Sequence, residues 1–453
     1  MPSHIRSVSD FTKGPRSSRQ PKVGETLRRS EMSKETNVME QIYEPRRLIE
    51  AWQQVKRNAG AAGIDEMTVS EFDERKGELM PMIRNKLSDG TYQFKPARRV
   101  EIPKPGTTKK RKLGIPVIMD RIVGTSIQRV FEEIFDRDFT SSNFGFRRGR
   151  SQKQAIAHVK KKVIEGYRWA AAIDLKGFFD EIPHDLILKL IRRKIADERV
   201  VTLIARALKS GVVVEGVFEQ TEKGSPQGSP LSPMLSNIVL NEMDQELERR
   251  GLTYCRWADD SVILLKSERA AHRVSEGMIR YLEETLGLPV NREKSEVAKV
   301  RDVSFLGFYI SGLRIKISGK SISKFKQKVK LLTRRNNPDS MHRIIIELSR
   351  YLRGWVGYFR IQQMATVLAK LDVWIRQRLR VMQLRKWKKP AKFQRVMIKA
   401  GFDPREAHRT WVNMKTWHSA QRKIVCLVLS QEWFRNLGLV FLDDFRPASL
   451  KTT

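Results

Sequence analysis

Two apolar runs that end on carboxylates constrain this chain more than any other feature. The first, Trp169-Ala170-Ala171-Ala172-Ile173, leads directly into Asp174, and the second, Tyr254 to Leu265, reads as two strands flanking the acidic turn Asp259-Asp260. A carboxylate at the end of a buried strand is costly unless something positive compensates for it. Two adjacent carboxylates at a hairpin tip repel each other and invite a cation. An Asp-Asp pair in a turn is ordinary by itself. Carboxylates from separate strands are another matter, because divalent cations that assist phosphoryl transfer take oxygen ligands of this kind. A sheet that gathers Asp174, Asp259 and Asp260 at one end is the expectation from which the rest proceeds.

The surroundings support such a sheet. Residues 166–312 alternate strand-like segments (Trp169–Ile173, Val262–Leu265, Phe305–Ile310) with helical ones (Leu186–Ile195, Leu231–Arg249, Ala270–Leu286), which implies an α+β unit with helices behind a sheet. Before it, Ile42, Leu48, Ile49, Trp52 and Val55 have helical spacing within 38–95, interrupted after Val55 by the Gly-rich loop Asn58–Gly63. Val100–Pro103 and Leu113–Pro116 read as short strands around a basic turn. Residues 117–165 return to helix, broken by the loop Phe144-Gly145-Phe146-Arg147-Arg148-Gly149-Arg150. Residues 1–37 lack apolar periodicity and read as a disordered basic tail, with Asp10, Glu25, Glu31 and Glu35 arguing against a transit peptide. The apolar end Leu437–Leu442 reads as a packing helix or strand.

Charge then narrows the partner. The sequence carries 87 Lys+Arg against 51 Asp+Glu, a formal charge of +36, and so large an excess repels itself unless a polyanion screens it. Residues 314–423 hold 29 Lys+Arg against 5 Asp+Glu, or +24, so the nucleic-acid surface is expected there. Trp355, Trp374, Trp387, Trp411 and Trp417 interleave with these charges as stacking platforms or core anchors. Two cysteines, Cys255 and Cys426, cannot build a four-ligand zinc cluster or a disulfide framework. No run of eighteen apolar residues is present, so no membrane association is expected, and a cytoplasmic location follows, with attachment to the nucleoid through nucleic acid.

In order and spacing, the motifs resemble those of the reverse transcriptases encoded by bacterial group II introns, from about residue 38 nearly to the C-terminus. Asn58–Asp65 resembles that family's N-terminal extension, Lys104-Pro105-Gly106 with Arg111 to Pro116 its fingers, and Phe144 to Ser151 its template-contacting loop. Asp174 to Asp180 resembles the first catalytic motif, Pro226 to Pro233 the nucleotide-pocket motif, and Asp259-Asp260 the catalytic hairpin. Asn291 to Ser295 and Ser304 to Phe308 are similar to the next two palm motifs, and Arg353 to Phe359 to the thumb or maturase region.

The resemblance implies a right-hand polymerase of fingers, palm and helical thumb that copies RNA into DNA. Its divisions are a tail at 1–37, an N-terminal extension at 38–95, fingers at 96–165, a palm at 166–312, a thumb or maturase domain at 313–385 and a basic DNA-binding region at 386–453, with no endonuclease domain. It implies two Mg²⁺ ions held by Asp174, Asp259, Asp260 and the backbone carbonyl of Leu175. Lys104 and Arg111 would meet the triphosphate, with Lys112 as the fallback for Arg111. Phe179 would lie beneath the sugar and exclude a 2′-hydroxyl. Gln227 would line the nucleotide pocket, Gly228 would let backbone approach substrate, and Lys294 would give a proton to pyrophosphate. Nucleic acid would meet Arg147, Arg148, Arg150, Trp257, Arg353, Trp355, Arg376, Arg378, Arg380, Lys388 and Lys389.

Implied partners are group II intron RNA, target DNA, a primer strand and deoxynucleoside triphosphates. One departure stands out: Trp257 replaces the Tyr that the family usually places before Ala-Asp-Asp. The alternative functions are an RNA-binding maturase with little polymerase activity, or a domesticated enzyme of the same type acting in repair or defence.

Overall fold

The computed structural model describes residues 34–103, 110–214, 216–225, 228–362, 365–387, 390–412 and 418–445. Most of the expected tail therefore lies outside the described residues, as do Lys104, Gln227, Lys388 and Lys389.

The chain opens with three helices, α1 (Val38–Ile42), α2 (Pro45–Asn58) and α3 (Val69–Ser88). Pro45 suits the first turn of α2, where its missing N–H costs nothing. A capping box starts α3: the Thr68 hydroxyl accepts from the Glu71 N–H, and the Glu71 carboxylate accepts from the Thr68 N–H. Trp52 of α2 packs on Phe72 of α3 with ring centroids 4.6 Å apart. The antiparallel strands β1 (Ala97–Pro103) and β2 (Lys110–Ile115) follow, then α4 (Ile118–Phe135), which is buried on most of its surface. Ser151 caps α5 (Gln152–Ile164).

Strand β3 (Trp169–Ile173) leads through α6 (Phe178–Glu181), α7 (His184–Arg192) and α8 (Glu198–Leu208) to the short strands β4 (Val212–Val214) and β5 (Val217–Glu219). These two extend the first hairpin into a sheet of order β2-β1-β4-β5. After α9 (Ser232–Arg249) comes the hairpin β6 (Thr253–Trp257) and β7 (Asp260–Leu265), then α10 (Glu268–Arg280) and β8 (Glu296–Lys299). They form a second, wholly antiparallel sheet of order β6-β7-β3-β8.

Both faces of this second sheet are covered, which explains why its strands are continuous apolar runs. Successive side chains alternate between two cores. Ala171, Ile173, Tyr254, Ile263 and Leu265 join a core built with α1 to α4 and α7 to α10. Ala170, Cys255, Val262 and Leu264 join another, built with α5 and everything C-terminal to the sheet.

That second core includes a hairpin of β9 (Phe308–Ser311) and β10 (Arg314–Ile317) and the long helices α11 (Gly319–Leu332), α12 (Met341–Phe359) and α13 (Ala365–Lys386). The strand expected at 305–310 begins only at Phe308, because Leu306 and Gly307 take left-handed conformations (φ 51° and 81°) and turn the chain. Leu437–Leu442 is neither helix nor strand except at its last residue; Leu439, Phe441 and Leu442 are buried in the second core as an irregular packing segment. Among the described residues no helix is long and apolar enough to cross a membrane.

Candidate active site

The register of the central sheet brings the three carboxylates to one end. Ile173 on β3 lies opposite Ser261 on β7, so the next residue of each strand, Asp174 and Asp260, emerges at the same edge. On β6, Trp257 pairs with Asp260, leaving Ala258 and Asp259 as a two-residue turn. Asp174 is fixed from the other side: its N–H donates to Ser295 Oγ at 3.1 Å and its carbonyl accepts from Asn291 N–H at 2.8 Å. Leu175 bridges to Val290 next to it.

A two-residue hairpin needs positive φ at its first central position, a place for Gly or Asn. Here Ala258 stands there at φ 56°, a conformation that costs a non-glycine residue roughly 1–2 kcal/mol. Arg256 holds it. This guanidinium, wholly buried in the middle of β6, donates to the Ala258 carbonyl at 3.0 Å, to Asn237 Oδ1 at 2.9 Å and to the equally buried Asp244 carboxylate at 2.6 Å. Asn237 in turn donates to the Gly145 carbonyl at 2.9 Å. A Cβ on Gly145 would fall 2.1 Å from the Ala258 nitrogen, so the loop 144–150 and the acidic turn touch backbone to backbone.

The electrostatics are those of crowded like charges. Burial raises the Asp259 carboxyl above its usual range and the charge of Asp174 adds to that, while Arg111 opposes it. Asp260 opens onto the cleft, yet its concave wall excludes enough water to push this carboxyl up to about 6, with the charges of Asp259 and Asp174 contributing. Lys294 partly offsets this, its ammonium 3.3 Å from Asp174 Oδ2.

Among the described residues no three His, Cys, Asp or Glu side chains are drawn into a ready-made metal cage. The donor set still fits hard divalent cations: it is all oxygen, it comes from two strands, and its like charges crowd together. The cleft beside it, about 780 Å³, is lined by Asp174, Trp257, Asp260 and Lys294 together with Leu306, Lys324 and Tyr358.

Around this centre the expected contacts divide. Phe179 lines a cavity of about 360 Å³ together with Arg99, Lys112 and Gly114. Gly228 (φ 122°) also lets strand β2 come close: its missing Cβ would lie 2.3 Å from the Gly114 carbonyl oxygen. His184 is structural, with Nε2 2.7 Å from the Gly224 carbonyl. Arg148 and Arg353 are exposed, Arg148 pairing with Glu132 at 3.0 Å, and Arg150 lies 5.4 Å over the Phe144 ring.

Five residues expected to meet nucleic acid have partners within the protein. Arg147 is bound to Asp136 at 2.6 Å and to the carbonyls of Thr140 and Asn143. Arg380 is buried and donates to the Leu429 carbonyl at 3.0 Å. Arg378 donates to Thr333 Oγ1 at 2.6 Å, and Trp355 packs between Phe325 and Phe359 at 4.3 and 4.8 Å. Arg376 sits 5.5 Å over the Phe441 ring. Trp387 and Trp411 flank Phe393, so these tryptophans are core anchors.

Sequence reasoning gave no role to Arg256, Asp244 and Asn237. The signal for the first was present, since a charge in the middle of an apolar strand must find a partner.

Comparison with known proteins identifies two matching families. The family model "Reverse transcriptase (RNA-dependent DNA polymerase)" matches residues 102–310, and "Group II intron, maturase-specific domain" matches residues 322–401. The chain is 34% identical over 314 residues to Protein YkfC of Escherichia coli (strain K12), covering 60% of this chain and 81% of that protein. It is 31% identical over 298 residues to the group II intron-encoded protein LtrA of Lactococcus lactis subsp. cremoris, covering 62% of this chain; it spans about half, 49%, of the length of LtrA. A putative COX1/OXI3 intron 1 protein of Saccharomyces cerevisiae is 36% identical over 183 residues, 40% of this chain and 22% of that protein.

Proposed function

Since the chain belongs to the reverse transcriptases that carry a group II intron maturase-specific domain, we propose that it copies RNA into DNA and also binds intron RNA to assist splicing and retrohoming. The observation that carries the polymerase reading is the arrival of Asp174, Asp259 and Asp260 at one sheet edge, close enough that the charge of Asp174 helps raise the carboxyls of Asp259 and Asp260.

In this reading Asp174, Asp259 and Asp260, with the Leu175 carbonyl, hold two Mg²⁺ ions. Bound there, the ions supply the positive charge that favours ionisation of a primer 3′-hydroxyl and offsets the charge of a leaving pyrophosphate. The chain's own side chains do the rest. Arg111, whose charge reaches Asp259, and Lys104 grip the triphosphate. Gln227 orients the base, while Gly228 and β2 keep the pocket wall in place. Lys294, already at the Asp174 carboxylate, donates a proton to the departing pyrophosphate oxygen. The exposed cations of the 314–423 region, with Arg148, Arg353, Lys388 and Lys389, hold intron RNA, target DNA and primer.

The test is extension of a DNA primer annealed to an RNA template, with deoxynucleotides and Mg²⁺. Full-length product is expected, and chelation should stop its synthesis. Purified protein that binds the RNA but lengthens no primer would leave only the maturase role.

Phe179→Ala addresses sugar selection in the same assay. Because the ring excludes a single hydroxyl by bulk, its removal should improve ribonucleotide use relative to deoxynucleotide by roughly 10- to 200-fold. Unchanged selectivity would assign Phe179 to packing alone.

A further inference from the structure

Tyr358 presents an unusual combination for an exposed aromatic residue. Its ring is 42% exposed, yet it is fixed on every other side: stacked on Phe308 at 6.1 Å with planes 19° apart, and edge-on to Phe359 at 4.8 Å. Its hydroxyl donates to the Leu306 carbonyl at 3.2 Å. Leu306 and the next residue, Gly307, form the left-handed turn before β9, and a Cβ on Gly307 would lie 2.8 Å from Ser321 Oγ and 3.3 Å from the Phe359 ring. The phenol is thus set against a turn that α11 and α12 clamp in place.

It also faces the carboxylates. Tyr358 lines the same cleft as Asp174, Trp257 and Asp260, and after burial itself it is the charge of Asp260 that keeps the phenol protonated above its usual range. A neutral phenol carries one rotatable O–H donor, which can leave one acceptor for another. Every Watson–Crick pair shows an N3 or O2 acceptor in the minor groove at nearly the same place, so one donor there can test pairing without reading sequence.

We propose that Tyr358 is a specificity-determining residue that seats the last base pair of the primer–template duplex over Asp260 by turning its hydroxyl from the Leu306 carbonyl to the minor-groove acceptor of that pair. The inference rests on the polymerase reading above. A paired end places the acceptor within reach of the hydroxyl and is extended. A mismatched end displaces the acceptor and forgoes the bond.

The experiment compares wild type with Tyr358→Phe, which keeps the ring and its stacking, on primers ending in a matched pair, in a mismatch, or in a matched pair whose terminal purine lacks N3 (3-deazaadenine). Loss of one neutral hydrogen bond should lower extension of the matched end by about 3- to 10-fold. The mismatched end should be unaffected, so discrimination falls by the same factor. Wild type should lose a similar factor on the deaza primer, and Tyr358→Phe should lose nothing more there.

An equal loss on matched and mismatched ends would show a merely structural residue and overturn the proposal, as would no change on any primer. An additional loss for Tyr358→Phe on the deaza primer would also overturn it. A wild-type protein that extends no primer overturns the polymerase reading itself, which distinguishes the two failures.

Discussion

Replacing both hairpin carboxylates with amides, Asp259→Asn with Asp260→Asn, should cut primer extension by at least about a thousandfold, a loss of the size seen when transition-state electrostatics are removed, and should also make the cation-free protein harder to unfold. The second effect follows from the crowding of these carboxylates. Asp260 is raised from 3.8 to about 6 in the folded chain, so between those values the folded state holds a proton that the unfolded chain has released. The contribution of Asp260 to stability without cation is therefore greatest below about pH 4 and falls as pH rises to about 6, above which its whole penalty applies. Solvent on the open side of Asp260 screens the repulsion, which leaves on the order of 1 kcal/mol at neutral pH.

Denaturant unfolding in chelator from pH 4 to pH 8 measures it. Relative to the double amide the parent should lose stability across that window, and Mg²⁺ should stabilise only the parent. A double amide less stable than the parent at pH 7 in chelator would refute the repulsion account.

Arg256→Met should cost about 3–5 kcal/mol, because it strands the Asp244 carboxylate in a site with no access to water. Adding Asp244→Leu should return most of that stability, since well-packed apolar pairs replace buried ion pairs at little cost. Extension should not return with it. The apolar pair cannot donate to the Ala258 carbonyl or to Asn237, so the left-handed residue beside Asp259 loses its anchor while the fold remains. Thermal unfolding, RNA binding and primer extension measured together separate these effects. A double variant that is stable and copies RNA at the parental rate would show that Arg256 serves folding only.

The acidic end of the sheet was legible because it breaks a rule: apolar strands that terminate in charge need a reason, and the register supplies it. The helices were legible from spacing, and boundaries shifted where local conformation took over, as at Leu306 and Gly307. The basic contacts were much less so. Composition counts cations but cannot say which of them the protein's own oxygens have already claimed; Arg147 finds Asp136 and two carbonyls, and Arg380 finds Leu429. Trp355 could have been placed correctly, since Tyr351, Trp355 and Phe359 recur at four-residue intervals beside Leu348, Leu352 and Val356, a stripe that faces inward on a helix. Arg256 and Asp244 lie twelve residues apart on different elements, and only the folded chain shows that they meet.

Because the central sheet gives alternate side chains of the same strands to two separate interiors, neither half of the molecule owns its own foundation. A piece ending near residue 312 would leave the face of Ala170, Cys255, Val262 and Leu264 with α5 but without α11 to α13, and a piece beginning there would lose the floor on which its helices stand. Scissors are thus a poor tool for parting the two halves. A lineage that gave up one talent and kept the other would have to do so by exchanging single side chains within an undivided body.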